Sequence, residues 1–415
     1  MSENPYKRYY DEKWNFKEHS MKELVHGLHP YPAMMMPLIA RTMFQEYGKG
    51  KDTLFLDPYV GSGTTLVEAQ LYGAKEAVGV DLNPLAILIS RTKTEDIDVA
   101  DVEKEFESFK KYIQNVGYVE PPVFSIRDSW FNERSIKELA QIRKFVLEIK
   151  KPEIMDFFKI AFSEVTRAAS ETRNGEFKLY RMSKKSLEKF DPHPIEMFLS
   201  VMDRNISILK SVNYKKDTKI NLYVENTFNL PSHKELTGKV DLIITSPPYG
   251  DSHTTVAYGQ FSRLSNEWLD IKDAGTLDRR LLGGAKVDEH PFGIQELDDA
   301  IEQIRNNDKN FNRDRSWEVT AFYHDYQKSI EAVATTVKKG GYVVYVVGNR
   351  RVRNVELALD VITYKMFEKL GFTHIITHVR DILNKRMPSK ASPSNAPGGQ
   401  ISTMMHEYIV VMKKD

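Results

Sequence analysis

The chain has 415 residues, 41% hydrophobic and 28% charged, with no cysteine and a formal charge of +1. That length and balance describe one large globular core with insertions, or two domains, and the missing cysteines exclude disulfides, thiolate metal sites and a cysteine nucleophile. A charge near zero gives no global pull toward nucleic acid, so any such binding must use local patches. No run is apolar for long enough to span a bilayer, residues 1–16 are unlike a secretion signal, and the composition fits a reducing, cytoplasmic setting without membrane contact.

Residues 1–20 interleave Tyr6, Tyr9, Tyr10, Trp14 and Phe16 with polar side chains and read as an arm packed on the body. His26-Gly27-Leu28-His29-Pro30-Tyr31-Pro32-Ala33 follows, then a helix over 34–44 with Pro37 in its first turn. A short apolar strand over 54–57 ends in Asp57. Pro58-Tyr59-Val60-Gly61-Ser62-Gly63-Thr64-Thr65 then turns into a helix over 66–72, closed by Gly73, and a strand over 77–80 ends in Asp81. This is a βαβ unit. Gly61 and Gly63 let the backbone approach a ligand, the helix N-terminus offers free N–H groups, and Asp81 is placed to accept hydrogen bonds from ribose hydroxyls. A dinucleotide fingerprint would need a third glycine where Leu66 stands, and a phosphate loop would need a lysine before the threonine pair. Asp57 suits a ligand bearing a cation. S-adenosylmethionine, with its ammonium, sulfonium and ribose, fits best.

Residues 91–216 read as a helical insertion, with helices over 102–116, 136–150, 154–169 and 194–212 and a solvated basic stretch at Lys184, Lys185 and Lys189. A third strand over 220–224 ends at Asn226. The fourth, Val240-Asp241-Leu242-Ile243-Ile244, runs into Thr245-Ser246-Pro247-Pro248-Tyr249-Gly250, where the proline pair stops it. Such a tip can hold a flat heterocycle against the Tyr249 ring while the Ser246 hydroxyl and the Pro247 carbonyl face an amino group. Residues 251–317 lack strong periodicity and read as a loop-rich insertion that serves recognition. Beyond it come a helix over 322–337, a strand over 342–347 with Arg350, Arg351 and Arg353 at its carboxyl end, a helix over 355–369, and strands over 373–380 and 407–412. The Pro/Ser/Gly-rich connection 388–400 reads as a mobile loop.

Strands alternating with helices predict an α/β fold, a Rossmann-like, mostly parallel sheet of seven strands with its ligands at the strands' carboxyl ends. The units are 1–90 (arm and first βαβ), 91–216 (helical insertion), 217–250 (strands three and four), 251–317 (recognition insertion) and 318–415 (strands five to seven). Four strand tips then face one crevice, carrying Asp57 with its glycines, Asp81, Asn226, and Ser246 to Tyr249.

On these residues the chain resembles the S-adenosylmethionine-dependent amino-methyltransferases of DNA, the N4-cytosine/N6-adenine class. Asp57-Pro58-Tyr59-Val60-Gly61-Ser62-Gly63-Thr64-Thr65 is similar to their cofactor motif, with Tyr59 in place of Phe, and Ser246-Pro247-Pro248-Tyr249 is similar to their catalytic motif. His29-Pro30-Tyr31-Pro32-Ala33 resembles the family's cofactor-flanking motif, although Met34 stands where a lysine often follows. Asn226 replaces the acid that contacts the cofactor's adenine amine. The ending Glu407-Tyr408-Ile409-Val410-Val411 resembles the family's last strand. The resemblance covers the catalytic fold and not the helical insertion.

It implies Tyr31, Pro32, Asp57, Tyr59, Gly61, Gly63, Thr64, Asp81 and Asn226 around S-adenosylmethionine, and Ser246, Pro247, Pro248 and Tyr249 around a base flipped out of double-stranded DNA. Tyr258, Phe261, Arg263, Arg350, Arg351 and Arg353 are the expected DNA contacts, no metal is expected, and a restriction endonuclease of the same system is a functional partner. Direct in-line transfer to the amino group needs no covalent intermediate, whereas methylation of cytosine C5 needs a cysteine that this chain lacks. Serine in the first catalytic position points to cytosine N4. Adenine N6, an RNA amino group, and a non-catalytic nucleic-acid-binding subunit remain as alternatives.

Overall fold

Val240–Thr245 is buried at every position, the pattern of a strand covered on both faces. The computed structural model describes residues 6–173, 175–212, 217–251, 255–288, 290–309, 314–382, 390–391, 401–402 and 405–415. Its strands are β1 (Arg8–Tyr10), β2 (Leu54–Asp57), β3 (Glu76–Asp81), β4 (Lys219–Val224), β5 (Val240–Thr245), β6 (Val337–Val347), β7 (Arg350–Val352), β8 (Val355–Leu357), β9 (Phe372–Asp381), β10 (Lys390–Ala391), β11 (Ile401–Ser402) and β12 (His406–Lys414). Eight of them form one sheet in the order β1-β9-β12-β6-β5-β2-β3-β4. All its pairings are parallel except those of β12, which runs antiparallel between β6 and β9. The chain runs from β2 outward through β3 and β4, then restarts at β5 on the other side of β2. The switch point, where a doubly wound sheet opens a crevice, therefore lies between β2 and β5.

The seven expected strands are present, and an eighth corrects the count. The arm does more than pack: β1 joins the edge of β9, with Arg8 opposite Thr377. It is held there because the Tyr6 hydroxyl (2.6 Å) and the Arg8 guanidinium (2.7 and 2.9 Å) share the buried Asp360 carboxylate, and Trp14 is fully buried against His378.

Helices cover both faces. Pro37–Tyr47 and Thr64–Tyr72 lie on one, around Met43, Phe44, Phe55, Leu66 and Ile244; Gln295–Asp308, Ser316–Thr336 and Leu359–Glu368 lie on the other, around Phe322, Tyr326, Tyr345 and Phe367. The insertion is helical as expected. Val99–Asn115, Glu133–Glu148, Pro152–Ala168 and Pro194–Lys210 enclose a phenylalanine-rich core with Pro84–Thr94. Pro37, Pro84, Pro152 and Pro194 each open a helix, where the missing N–H removes no bond.

The sequence led us to expect a loop-rich insertion over residues 251–317. Among the described residues they hold three helices, Tyr258–Trp268, Leu277–Arg280 and Gln295–Asp308. Phe261, Leu264 and Trp268 recur at helical spacing and drive the first helix into the insertion's core, with Trp268 edge-on to Phe131; Leu297, Ile301 and Ile304 drive the third against the sheet layer. The helix expected over 355–369 starts only at Leu359, because Arg353 and Asn354 both take positive φ (53° and 66°) and fold β7 back on β8. The connection 388–400 lies, apart from Lys390–Ala391, outside the described residues.

Candidate active site

A cavity of about 880 Å³, open to solvent at its mouth, sits at the carboxyl ends of β2 to β5. All four strand tips reach its wall: Asp57 to Ser62 with Thr64 and Thr65 from β2, Asp81 and Leu82 from β3, Glu225 to Thr227 from β4, and Ser246 and Pro248 from β5. Tyr31 and Pro32 close one side, with Tyr258 stacked on Tyr31 at 6.1 Å and 21°.

The glycine turn is fixed from several directions. Val60 N–H donates to Val80 O, Gly61 N–H donates to Asp81 Oδ2 (3.0 Å), and Ser90 Oγ donates to Gly61 O (2.8 Å). Gly61 and Gly63 both take positive φ (50° and 79°). Their roles differ. Gly61 is on the cavity wall, whereas Gly63 is not, and a Cβ on Gly63 would lie 2.9 Å from Ser90 Cα. Gly63 has a packing role in the close approach of the turn to helix Pro84–Thr94.

Asp57 is committed within the protein. Its oxygens accept from Thr65 Oγ1 (2.5 Å), Thr245 Oγ1 (2.6 Å) and Tyr59 N–H (3.0 Å), so the carboxylate clamps the β2 turn to β5 while it also lines the cavity. Burial pushes its pKa up to about 6 against these bonds. Asp81 is different. Burial also raises it to about 6, but its oxygens accept one backbone N–H each, from Asn83 (2.8 Å) and Gly61. A carboxylate offers about four acceptor positions, so about two remain for a ligand. Asn226 lines the cavity, and its side-chain oxygen caps the short helix Thr227–Ser232 through Phe228 N–H. Tyr59 and Thr64 lie on the wall as expected.

At the β5 tip Ser246 and Pro248 reach the wall, but Pro247 and Tyr249 do not. The Tyr249 ring packs against the sheet core, and its hydroxyl lies 3.1 Å from Ser246 Oγ and 3.2 Å from Glu407 Oε1. The Tyr249 ring is only partly buried, and Tyr31 and Tyr258 add aromatic surface to the cavity wall.

Most of the expected DNA contacts are also taken up internally. Phe261 is buried, edge-on to Tyr31. Arg350 pairs with Asp251 (3.1 Å) and Arg353 with Asp308 (2.6 Å), both largely buried, because the β7–β8 hairpin turns them toward those carboxylates. Arg263 leans on Gly275 and Glu267, and Arg351 is a surface pair with Glu356. Tyr258 alone of this group lines the cavity.

The sequence reading missed Glu225, Leu282 and Arg280. Residues 277–284 cross the mouth as a strap, held at one end by Asp278, which accepts from Gly259 N–H (3.0 Å), and at the other by Asp325, which accepts from Gly283 N–H (2.9 Å). The strap brings Arg280 to a wall whose other charged side chains are the carboxylates Asp57, Asp81 and Glu225. The Arg279-Arg280 and Gly283-Gly284 pairs were its visible trace.

Residues 28–112 match the RMKL-like methyltransferase domain family. Over 96% of its length the chain is 36% identical to the type II methyltransferase M.MvaI of Kocuria varians, covering 93% of that protein. It is 30% identical to the type II methyltransferase M.MjaII of Methanocaldococcus jannaschii, over 22% of this chain and 18% of that one. An rRNA methylase structure from Streptococcus thermophilus superimposes with a TM-score of 0.33 at 7% identity, covering 92% of this chain and 98% of that one.

Proposed function

Because the chain belongs to the type II DNA methyltransferases, which use S-adenosylmethionine, we propose that it methylates the N4 amino group of a cytosine flipped out of duplex DNA. The observation that carries this is the position of Ser246: its hydroxyl stands on the wall that also holds the glycine turn and Asp81. The residues fit the cofactor. Asp81 keeps acceptor positions for a ribose, the Thr64 end of a helix offers N–H groups, and Tyr31 and Tyr258 give a flat apolar wall.

When bound, S-adenosylmethionine supplies a methyl group on a sulfonium, an electrophile strong enough for direct transfer. An exocyclic amino group is a poor nucleophile because its lone pair is delocalised into the ring. Ser246 Oγ accepts one of its hydrogens and favours the pyramidal nitrogen. The methyl would pass directly from the bound sulfonium to the amino nitrogen, the sulfur keeping the S–CH3 bonding pair and one amino proton passing to solvent, while Ser246 would hold that nitrogen in place. Serine in place of aspartate or asparagine at 246 favours cytosine over adenine, by resemblance to the amino-methyltransferases.

Arg280 replaces Arg350 and Arg353 as the DNA-backbone contact, since it stands exposed at the mouth. A restriction endonuclease of the same recognition sequence is the functional partner, in the cytoplasm. Among the described residues no helix is long and apolar enough to cross a membrane.

The test is incubation with labelled S-adenosylmethionine and unmodified genomic DNA, followed by nucleoside mass spectrometry. N4-methylcytosine is the expected product. N6-methyladenine would overturn the base assignment and leave the site intact; product on structured RNA alone would overturn the substrate.

A further inference from the structure

We infer that Glu407, on β12 and away from the cavity wall, sets the direction of a hydroxyl chain and thereby makes Ser246 a hydrogen-bond acceptor toward the target amino group. The inference rests on the amino-transfer reading above and assigns a positioning residue to it. The chain is continuous: Ser246 Oγ to Tyr249 hydroxyl, 3.1 Å; Tyr249 hydroxyl to Glu407 Oε1, 3.2 Å; Glu407 Oε2 to the Arg380 guanidinium, 3.2 Å.

Its polarity follows from counting hydrogens. An ionised carboxylate only accepts, so the single Tyr249 hydrogen points to Glu407. The Tyr249 oxygen is then left to accept, and the Ser246 hydrogen points to it. With that hydrogen directed inward, the lone pairs of Ser246 are what the cavity meets. Both hydrogens of an exocyclic amino group need acceptors, so this direction is productive.

Protonation of Glu407 permits the opposite order. Glu407 then donates to Tyr249, Tyr249 donates to Ser246, and the Ser246 hydrogen points outward against the amino hydrogens. The groups facing Glu407 are Arg380 from β9 and Tyr249 from the β5 tip, while the end of β6 adds Val347 and no charge. Burial raises the Glu407 pKa, and Arg380 works against that rise. The switch from one order to the other therefore falls above the usual carboxylate range.

The same chain gives the Tyr249 hydroxyl a role as the middle link, whatever face its ring presents. Glu407 and Arg380 are largely buried as a pair on the strands that flank the site (side chains 20% and 8% exposed), where an ion pair of no function would be a poor choice over apolar packing.

The test compares wild type with Glu407→Gln, Tyr249→Phe and the double variant, measuring kcat against pH, cofactor Kd and duplex Kd. Each single variant should lose about tenfold in kcat, the worth of one lost hydrogen bond, with both Kd values within about twofold. The double variant should be no slower than either single one, because both cut the same chain. The wild-type kcat should fall on the acid side above the usual carboxylate range, and Glu407→Gln should lose that limb. Additive losses, an unchanged acid limb in Glu407→Gln, or a loss explained by cofactor affinity would overturn the inference. Tyr249→Phe keeps the ring and its packing, so it decides the matter if Glu407→Gln unfolds. A wild type that makes no amino-methylated base is scored separately in the same mass spectra and refutes the parent reading with it.

Discussion

On the proposed reading Asp81 holds the cofactor's ribose, and binding should then depend on pH in a window where free carboxylates do not titrate. Its pKa is pushed up to about 6 by burial, with the neighbouring Asp57 charge adding to the rise and backbone N–H groups of Asn83 and Gly61 opposing it. Those two N–H groups occupy about half of its acceptor positions. A ribose that donates both hydroxyls needs the other half, and protonation removes one. Binding therefore selects the ionised form. With a pKa of about 6, roughly a tenth of the free protein is ionised at about pH 5 and roughly nine-tenths at about pH 7, so the apparent affinity for S-adenosylmethionine should fall about tenfold, or 1.4 kcal/mol, over that interval. The same raised pKa works against the free fold: its stabilising contribution is complete below the unfolded value of 3.8 and is lost as pH rises through about 6. Calorimetric titration at several pH values, in two buffers of different ionisation enthalpy, reads both the affinity and the proton released. Asp81→Asn should bind more weakly at neutral pH and show a flat profile. A wild-type affinity constant from pH 5 to 7, with no buffer-dependent heat, would refute the argument.

Ser246→Ala should keep cofactor affinity and lower kcat about a hundredfold, the order seen when one transition-state hydrogen bond is removed; unchanged turnover would take Ser246 out of the mechanism. Gly63→Ala should destabilise the fold by about 2–5 kcal/mol, from left-handed strain plus the Ser90 overlap, while Gly61→Ala, with its nearest neighbour Tyr31 Cε1 at 3.7 Å, should cost only the strain of about 1–2 kcal/mol. Urea denaturation distinguishes them, and equal losses would refute the packing role of Gly63. Arg280→Ala should weaken duplex binding and reduce the salt slope by about 0.9, whereas Arg353→Ala should leave the slope alone and lower stability by about 3 kcal/mol through the stranded Asp308. A changed slope in the second variant would reverse the two assignments.

The βαβ unit was legible because its punctuation is local. Asp57, Gly61, Gly63 and Asp81 lie within one short stretch, and the backbone there follows from glycine φ angles and strand ends. The convergence of four strand tips was also legible, since parallel strands must place their carboxyl ends together. What failed was the direction of side chains. Arg350 and Arg353 are on a strand's exit as read, yet which carboxylate they meet depends on Asp251 and Asp308, distant in sequence. The bond from the Tyr249 hydroxyl to Glu407 was not legible because that partner stands 158 residues away. The helix Tyr258–Trp268 was lost among polar residues, although its three apolar positions held the period. The strap that carries Arg280 has no periodicity and becomes visible only through Asp278 and Asp325.

The pairing of β1 with β9 ties residues 8–10 to residues 377–379. During synthesis those few residues emerge early and have no sheet to join until nearly the whole chain has followed them. The strand is therefore a late closure, added after β9 and β12 have found β6, and loop entropy ensures that it contributes little to the rate-limiting search. Until then the edge of β9 lies open to any other chain presenting an unpaired strand, and the Asp360 carboxylate lacks two of its donors. Closure of that edge is a timing device as much as a contact: it separates a chain that can still pair with its neighbours from one that has finished folding. The cavity lies at β2 to β5, so an arm that never docks would leave those strands paired while the β9 edge stays open to assembly.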